Sequence, residues 1–255
     1  MTEFHFHQGS KPLLVSMPHV GLEIPDTIKE NMTEAALSMI DTDWYIDRLY
    51  DFLKEMGVSI ISAKYSRYVV DLNRGADGSS LYEGQNETTL CPLTTFENEP
   101  LYKPNHSPDL AARTAHYWQP YHDQISAELR RLKQNFGIAR LWDAHSIKSH
   151  VPHLFDGQLP DLNLGTDNGI SADHALVQKL DHIISKSGYS SALNGRFKGG
   201  YITRNYGDPQ NHIDAVQLEI SQNTYMDEAP KLNFREDKAN KLRPVLKLLI
   251  ETMIS

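Results

Sequence analysis

The sequence predicts an α/β protein built as a three-layer, doubly wound sheet with helices on both faces. Two features of the 255-residue chain carry this expectation. Short apolar runs of strand length alternate with longer segments of helical periodicity. Polar clusters recur where such runs end: His19, Asn73-Arg74 and Asp143/His145. Sheets of this kind bind ligands beyond the carboxyl ends of their strands, which is where these clusters fall. No repeat, low-complexity tract or linker divides the chain, so residues 1–255 are expected to form a single domain.

In chain order, the apolar run Leu13 to Met17 reads as a buried strand stopped by Pro18, which leaves His19 just past its end. Trp44, Ile46, Leu49, Tyr50 and Leu53 recur at helical spacing and predict a helix over 43–56, with Asp41 and Thr42 as cap candidates and Gly57 as its stop. Segments 58–62 and 65–72 are β-rich, and the second runs into the turn-prone Asn73-Arg74-Gly75. Residues 75–108, rich in Gly, Pro, Asn and Thr, are too long for a connector and are expected to cover or border a site. One or two helices over 107–136 end at Gly137, and a strand over 138–142 leads into Asp143-Ala144-His145-Ser146. A loop over 150–168, a helix over 172–186, a Gly-rich patch over 194–201, a strand over 212–221 and a helix over 237–254 complete the chain.

Composition narrows the partners. Hydrophobic residues at 40% and charged residues at 23% are the values of a soluble globular protein. A net charge of -8 with no Lys/Arg-rich run excludes nucleic acid and favours a small-molecule substrate. An anionic substrate would then need dedicated arginines. The lone Cys91 rules out an internal disulfide and a multi-cysteine zinc site, and points to a reducing cytoplasm. The polar segment 1–10 is not a secretory signal, and no run nears the ~18 apolar residues of a membrane helix.

A catalytic zinc takes about three ligands from His and carboxylate and keeps one position for water. His19 and His145 supply the imidazoles, and both Glu23 and Asp43 are candidates for the third ligand. Asp143, two residues before His145, would share its face in a strand and could hold the imidazole. His150 and His153 flank Pro152, which argues for a loop and leaves them lining a site at most. Over 216–221 the residues alternate, so Gln217, Glu219 and Ser221 share one face. On an edge strand that face is merely solvated, whereas on a buried strand Glu219 becomes a general base. Arg74 with Asn73 is the best placed anion site, followed by Arg67 and Arg204, while Gly199 and Gly200 permit close backbone approach.

Several longer motifs occur together: Met17-Pro18-His19-Val20-Gly21, Asp41-Thr42-Asp43-Trp44, Ser66-Arg67 with Asp71-Leu72-Asn73-Arg74, Trp142-Asp143-Ala144-His145-Ser146, His153-Leu154-Phe155-Asp156-Gly157, Asn194-Gly195-Arg196-Phe197-Lys198-Gly199-Gly200 and Gln217-Leu218-Glu219. In this order and along nearly the whole chain they resemble the N-formylglutamate amidohydrolases of bacterial histidine breakdown. That family is similar in fold to the zinc carboxypeptidases, which implies a mixed, zinc-exopeptidase-like sheet and one catalytic domain. The resemblance implies one zinc ion on His19, His145 and, by the recurrence of its motif, Asp43 rather than Glu23. It also implies substrate carboxylate at Asn73 and Arg74 and Glu219 as base, and the charge of a dianionic substrate adds Arg67 and Arg204 as further cationic partners. Carboxypeptidases place a ligand Glu three residues after the first His, where this chain has Leu22. The implied reaction is hydrolysis of N-formyl-L-glutamate to formate and L-glutamate, the last step of a histidine degradation route. An aminoacylase or carboxypeptidase acting on another N-acylated acidic amino acid, or a non-catalytic binder of acidic amino acids, is the competing expectation.

Overall fold

The computed structural model describes residues 3–79 and 88–255. A seven-stranded sheet is formed by β1 (Phe4–His7), β2 (Leu13–Met17), β3 (Ser59–Ala63), β4 (Ala139–Ile147), β5 (Leu162–Gly165), β6 (Ser191–Leu193) and β7 (Ile213–Ser221). Their order is β1-β3-β2-β4-β7-β5-β6. Strands β3, β2, β4 and β7 are parallel, whereas β1 runs antiparallel to β3 and β5 antiparallel to β7, so the sheet is mixed. The chain leaves β2 for β3 on one side and comes back to β4 on the other. The junction of β2 and β4 is therefore the switch point at which such sheets open a crevice.

Strand periodicity sorts the side chains into two cores. Leu14, Leu141 and Ala215 pack beneath α1 (Gln119–Phe136) against its Tyr121, Ile125 and Leu129. The short α3 (Tyr201–Tyr206) joins this core through Ile202, while on the other face Val15, Trp142, Ala144, Val216 and Leu218 pack against α2 (His174–Lys186) and α4 (Glu236–Ile254). The face beneath α1 changes character along the strands: Leu141 gives way to Asp143 and His145, and Ala215 to Gln217 and Glu219. Register sets Asp143 opposite Gln217 and His145 opposite Glu219. The polar row is thus the continuation of a core face.

Several elements differ from expectation. The helix over 43–56 is broken into Ile46–Leu49 and a 3-10 turn, Asp51–Leu53, and Tyr45 ahead of it sits at φ 61°. Asp41 does not cap it, because its Oδ2 accepts from Tyr68 Oη (2.6 Å) and the Phe96 N–H (2.8 Å). The Asp43 N–H donates to the His19 carbonyl at 3.1 Å, so the would-be first turn is committed to the site. Residues 65–72 form turns rather than a strand: Val69 N–H donates to Ser66 O and Arg74 N–H to Asp71 O. Ser66, Arg67, Asp71 and Asn73 are all buried there, and an extended ribbon with alternating sides could not bring all four to one place. The strand expected over 138–142 continues to Ile147 and contains Asp143 and His145. β7 has neighbours on both sides, so the solvated-edge alternative for Glu219 fails. β1, β5, β6 and α3 had no forecast. Gly137 at φ 75° ends α1 as expected. No helix among the described residues is long and apolar enough to cross a membrane.

Helix α1 and the residue just before it also anchor the turn bearing Asn73 and Arg74. Trp118 Nε1–H donates to the Arg74 carbonyl (2.8 Å), and His122 Nε2–H donates to the Leu72 carbonyl (2.9 Å) while its Nδ1 pairs with the Tyr206 hydroxyl (2.9 Å). Burial pushes the His122 imidazole down from its ordinary 6.5 to about 4, although the Leu72 carbonyl works the other way. Between these values the unfolded chain binds a proton that the native fold refuses, so stability falls as pH drops from about 6.5 towards 4. The full contribution is of order ~3 kcal/mol. Denaturant titrations across this range should show a flatter pH dependence for His122→Gln, which stays neutral; an unchanged slope would assign the acid sensitivity to other groups.

Candidate metal centre and active site

His19, Asp43 and His145 meet over the junction of β2 and β4. One ligand atom from each lies within 4.8 Å of the other two, and all three side chains are buried. His19 follows β2 in the turn that Pro18 begins, His145 projects from the last third of β4, and Asp43 is held between their backbones. Its N–H donates to His19 O (3.1 Å), and its Oδ2 accepts from the Ser146 N–H (3.1 Å). Glu23, the other candidate ligand, is exposed and pairs with Lys64 at 3.4 Å. Neither exposed histidine of the 150–153 segment belongs to the group; His150 Nδ1 donates to the Gly157 carbonyl instead (2.8 Å).

The hydrogen bonds fix which ring nitrogen faces inward. His19 Nε2 bonds Asp71 Oδ1 (2.7 Å) and His145 Nε2 bonds Asp143 Oδ2 (2.9 Å). Carboxylates accept, so His19 Nε2 carries the proton and its Nδ1 lone pair points towards Asp43, whereas His145 without a metal faces a carboxylate with each ring nitrogen, Asp143 with Nε2 and Asp43 with Nδ1. The Nδ1 atoms lie 3.7 Å (His19) and 3.0 Å (His145) from Asp43 Oδ2. His19 Nδ1 is buried without a hydrogen-bond partner. A buried polar atom in that state, flanked by a second imidazole and a carboxylate, fits a divalent ion of the zinc type.

Charge makes the same demand. Asp43, Asp71, Asp143 and Glu219 are buried around Arg67, whose Nη2 lies 2.7 Å from Asp71 and Nη1 3.8 Å from Asp43. Carboxylates so placed need compensating cations. Burial would push His145 down, but Asp143 and Asp43 outweigh it and raise the imidazole well above its ordinary range. Burial, reinforced by Asp43 and Asp143, pushes Glu219 up to about 8 against the pull of His145 and Arg67. Protons on these two groups occupy the electrostatic role a divalent ion would take.

Glu219 faces the cleft that also contains His19, Asp43, Arg67, Asn73, Arg74 and His145. Gln217 positions it: Gln217 Oε1 accepts from the Gly200 N–H (2.7 Å), so Nε2 must be the end that donates to Glu219 Oε2 (3.1 Å). Asn73 is equally constrained, because Oδ1 accepts from Ile202 N–H (2.8 Å) and Nδ2 donates to Asp143 Oδ2 (3.1 Å). Gly200 packs so closely on it that a Cβ would meet Asn73 Nδ2 at 2.3 Å. The structure does not bring Arg204 into the cleft lining; its Nη1 lies 3.4 Å from Asp167 and its Nε donates to Gly199 O. Of the expected loop 75–108, residues 80–87 lie outside the described residues, while Thr88 and Phe96 line the cleft.

Sequence reasoning assigned no role to Asp71, Gln217 or Arg196. Alternation placed Gln217 on the face of Glu219 without giving it a task, and Asp71 stands two residues from Asn73 in a segment that does not form the strand expected of it. Arg196 reaches the cleft from the Gly-rich patch, and nothing in its local pattern announced that.

A buried group of two histidines and one aspartate that could hold a metal ion, with a glutamate beside it at the switch point of a mixed α/β sheet, defines the site of a hydrolase. The sequence model of the N-formylglutamate amidohydrolase family matches residues 11–226, and the chain belongs to that family. It is 51% identical over 254 residues to a protein of Pseudomonas putida named N-formylglutamate deformylase, covering 98% of this chain and 95% of that one. A protein of the same name from Pseudomonas aeruginosa is 50% identical with the same coverage. The crystal structure of an N-formylglutamate amidohydrolase from Ralstonia eutropha JMP134 superposes with a TM-score of 0.83, covering 99% of this chain and 98% of that one; at 20% identity this likeness speaks for the fold alone.

Proposed function

We propose that this chain hydrolyses the formamide bond of N-formyl-L-glutamate to formate and L-glutamate, with one zinc ion on His19, Asp43 and His145 and with Glu219 as base. The observation that carries this reading is the convergence of two imidazole nitrogens and a carboxylate next to Glu219, in a chain sharing half its residues with proteins named N-formylglutamate deformylase. Bound zinc supplies Lewis acidity, polarising the carbonyl and making a water acidic. Glu219 accepts the proton that the water gives up and delivers it to the glutamate nitrogen as the C–N bond breaks. Asn73 holds Asp143 behind His145, Arg67 holds Asp71 and Asp43, and Arg74 binds substrate carboxylate.

We take residues 1–255 as one catalytic unit. A cytoplasmic location is in keeping with the lone cysteine, and a place at the end of a histidine degradation route rests on the family resemblance. The test is release of formate from N-formyl-L-glutamate against release of acetate from N-acetyl-L-glutamate, with the aspartate analogues alongside. Equal rates on the formyl and acetyl compounds would remove the acyl assignment. Gln217→Met should lower kcat roughly tenfold to a hundredfold, the worth of a hydrogen bond to a charged group, with KM and bound metal unchanged. A parallel loss of metal would make Gln217 structural instead.

A further inference from the structure

N-formyl-L-glutamate brings two carboxylates to a cleft already lined or backed by Asp43, Asp71, Asp143 and Glu219. Arg67 and a divalent ion together leave about one of those four negative charges uncompensated, so each substrate carboxylate needs a cation of its own. Arg67 is committed to Asp71 and Asp43, and Arg204 is drawn to Asp167. Among the described residues lining the cleft, the remaining arginines are Arg74 and Arg196.

The two are anchored to different parts of the molecule. Arg74 donates through Nε to Thr88 O (2.7 Å) and through Nη2 to Thr88 Oγ1 (3.1 Å); that hydroxyl donates onward to Asp71 Oδ2 (3.3 Å), the partner of His19. Arg74 thus belongs to the scaffold of the metal group. Arg196 donates through Nε to Leu154 O (2.8 Å), and its guanidinium carbon lies 5.4 Å from the centre of the Phe197 ring. Its segment is seated by Asn194, whose Oδ1 accepts from the Thr166 N–H (2.8 Å), and by Gly199 at φ 111°. The loop is fixed, and its anchor is the 150s segment.

In the substrate the α-carboxylate sits on the carbon that bears the formamide nitrogen, and the side-chain carboxylate lies two methylenes further out. With the formamide at the metal group, the nearer carboxylate falls to the arginine tied to that group and the outer one to the arginine tied instead to the 150s segment. We propose that Arg196 is the specificity-determining anchor of the substrate's side-chain carboxylate, with Arg74 taking the α-carboxylate; this rests on the function proposed above.

The experiment compares kcat/KM for N-formyl-L-glutamate and N-formyl-L-glutamine, which differ by the outer charge, in wild type, Arg196→Gln, Arg196→Lys and Arg74→Gln. Arg196→Gln should collapse the preference for the dianion by roughly 10- to 100-fold, the worth of a charge-assisted bidentate contact, and Arg196→Lys should restore part of it. Arg74→Gln should weaken both substrates and keep their ratio. Calorimetric Kd values for the two compounds in the metal-loaded Glu219→Gln background, where turnover is slowed, should show the same pattern. A preference that survives Arg196→Gln, or that collapses in Arg74→Gln instead, overturns the assignment. A wild-type protein that releases formate from N-formyl-L-glutamine but not from N-formyl-L-glutamate overturns the functional reading and the inference with it.

Discussion

Replacing Glu219 by Gln is expected to lower kcat by roughly 10²- to 10⁴-fold while the protein keeps its metal, the range that general acid–base catalysis contributes. The amide matches the carboxylate in size and can still accept from Gln217 Nε2, so the hydrogen bonds from Gly200 through Gln217 persist. It cannot take a proton from water. The proposed metal ligands lie on β4 and in the turns after β2 and before Ile46, none of which the substitution touches. A second readout is independent of turnover. In the metal-free protein Glu219 is pushed up to about 8 from an ordinary 4.5, so its native form holds a proton that the unfolded chain has released. Its contribution to stability is therefore complete below pH 4.5 and is lost as pH rises through about 8. Glu219→Gln should flatten that decline. Near-normal turnover, or an unchanged alkaline decline, would remove Glu219 from the roles given to it here.

The legible parts of this chain were those in which local pattern and tertiary demand agree. β2, the end of α1 at Gly137, α2, β7 and α4 follow from apolar period and punctuation, and His19 lies where Pro18 said a strand should stop. The illegible parts are those in which the site overrides local preference. Residues 43–56 have helical spacing, yet the backbone of Asp43 is bonded to His19 and Tyr45 adopts a left-handed conformation, so the helix starts late. Residues 65–72 are β-branched and aromatic enough for a strand, but the buried polar side chains of Ser66, Arg67 and Asp71 turn them into a coil. The short strands β5 and β6 carry no pattern of their own and are defined by their pairing. The same logic holds for the site. Ligand residue types could be named from sequence, and the family resemblance favoured Asp43 over Glu23; the fold adds the two hydrogen bonds over long separations that seat Asp43 beside the histidines, one from its own N–H and one to its carboxylate.

His145→Ala should cost the protein its metal, with affinity falling by at least about 100-fold if each ligand carries its share of a typical structural-zinc binding energy. The effect has a pH signature. In the metal-free protein the carboxylates of Asp143 and Asp43, overcoming burial, hold His145 protonated well above the ordinary imidazole range, and one ring proton stands between Nδ1 and Asp43. A metal ion must displace that proton, so affinity should fall as pH falls, and binding should release protons into the buffer. Calorimetry in buffers of different ionisation enthalpy counts them. His145→Ala should release at least one proton fewer, and His145→Asn, which can still bond Asp143, controls for the burial of an unpartnered carboxylate. Either variant retaining stoichiometric metal after dialysis against a chelator would remove His145 from the ligand set. Asp43 alone could not then account for the orphaned Nδ1 of His19, and the centre would have to be sought around different atoms.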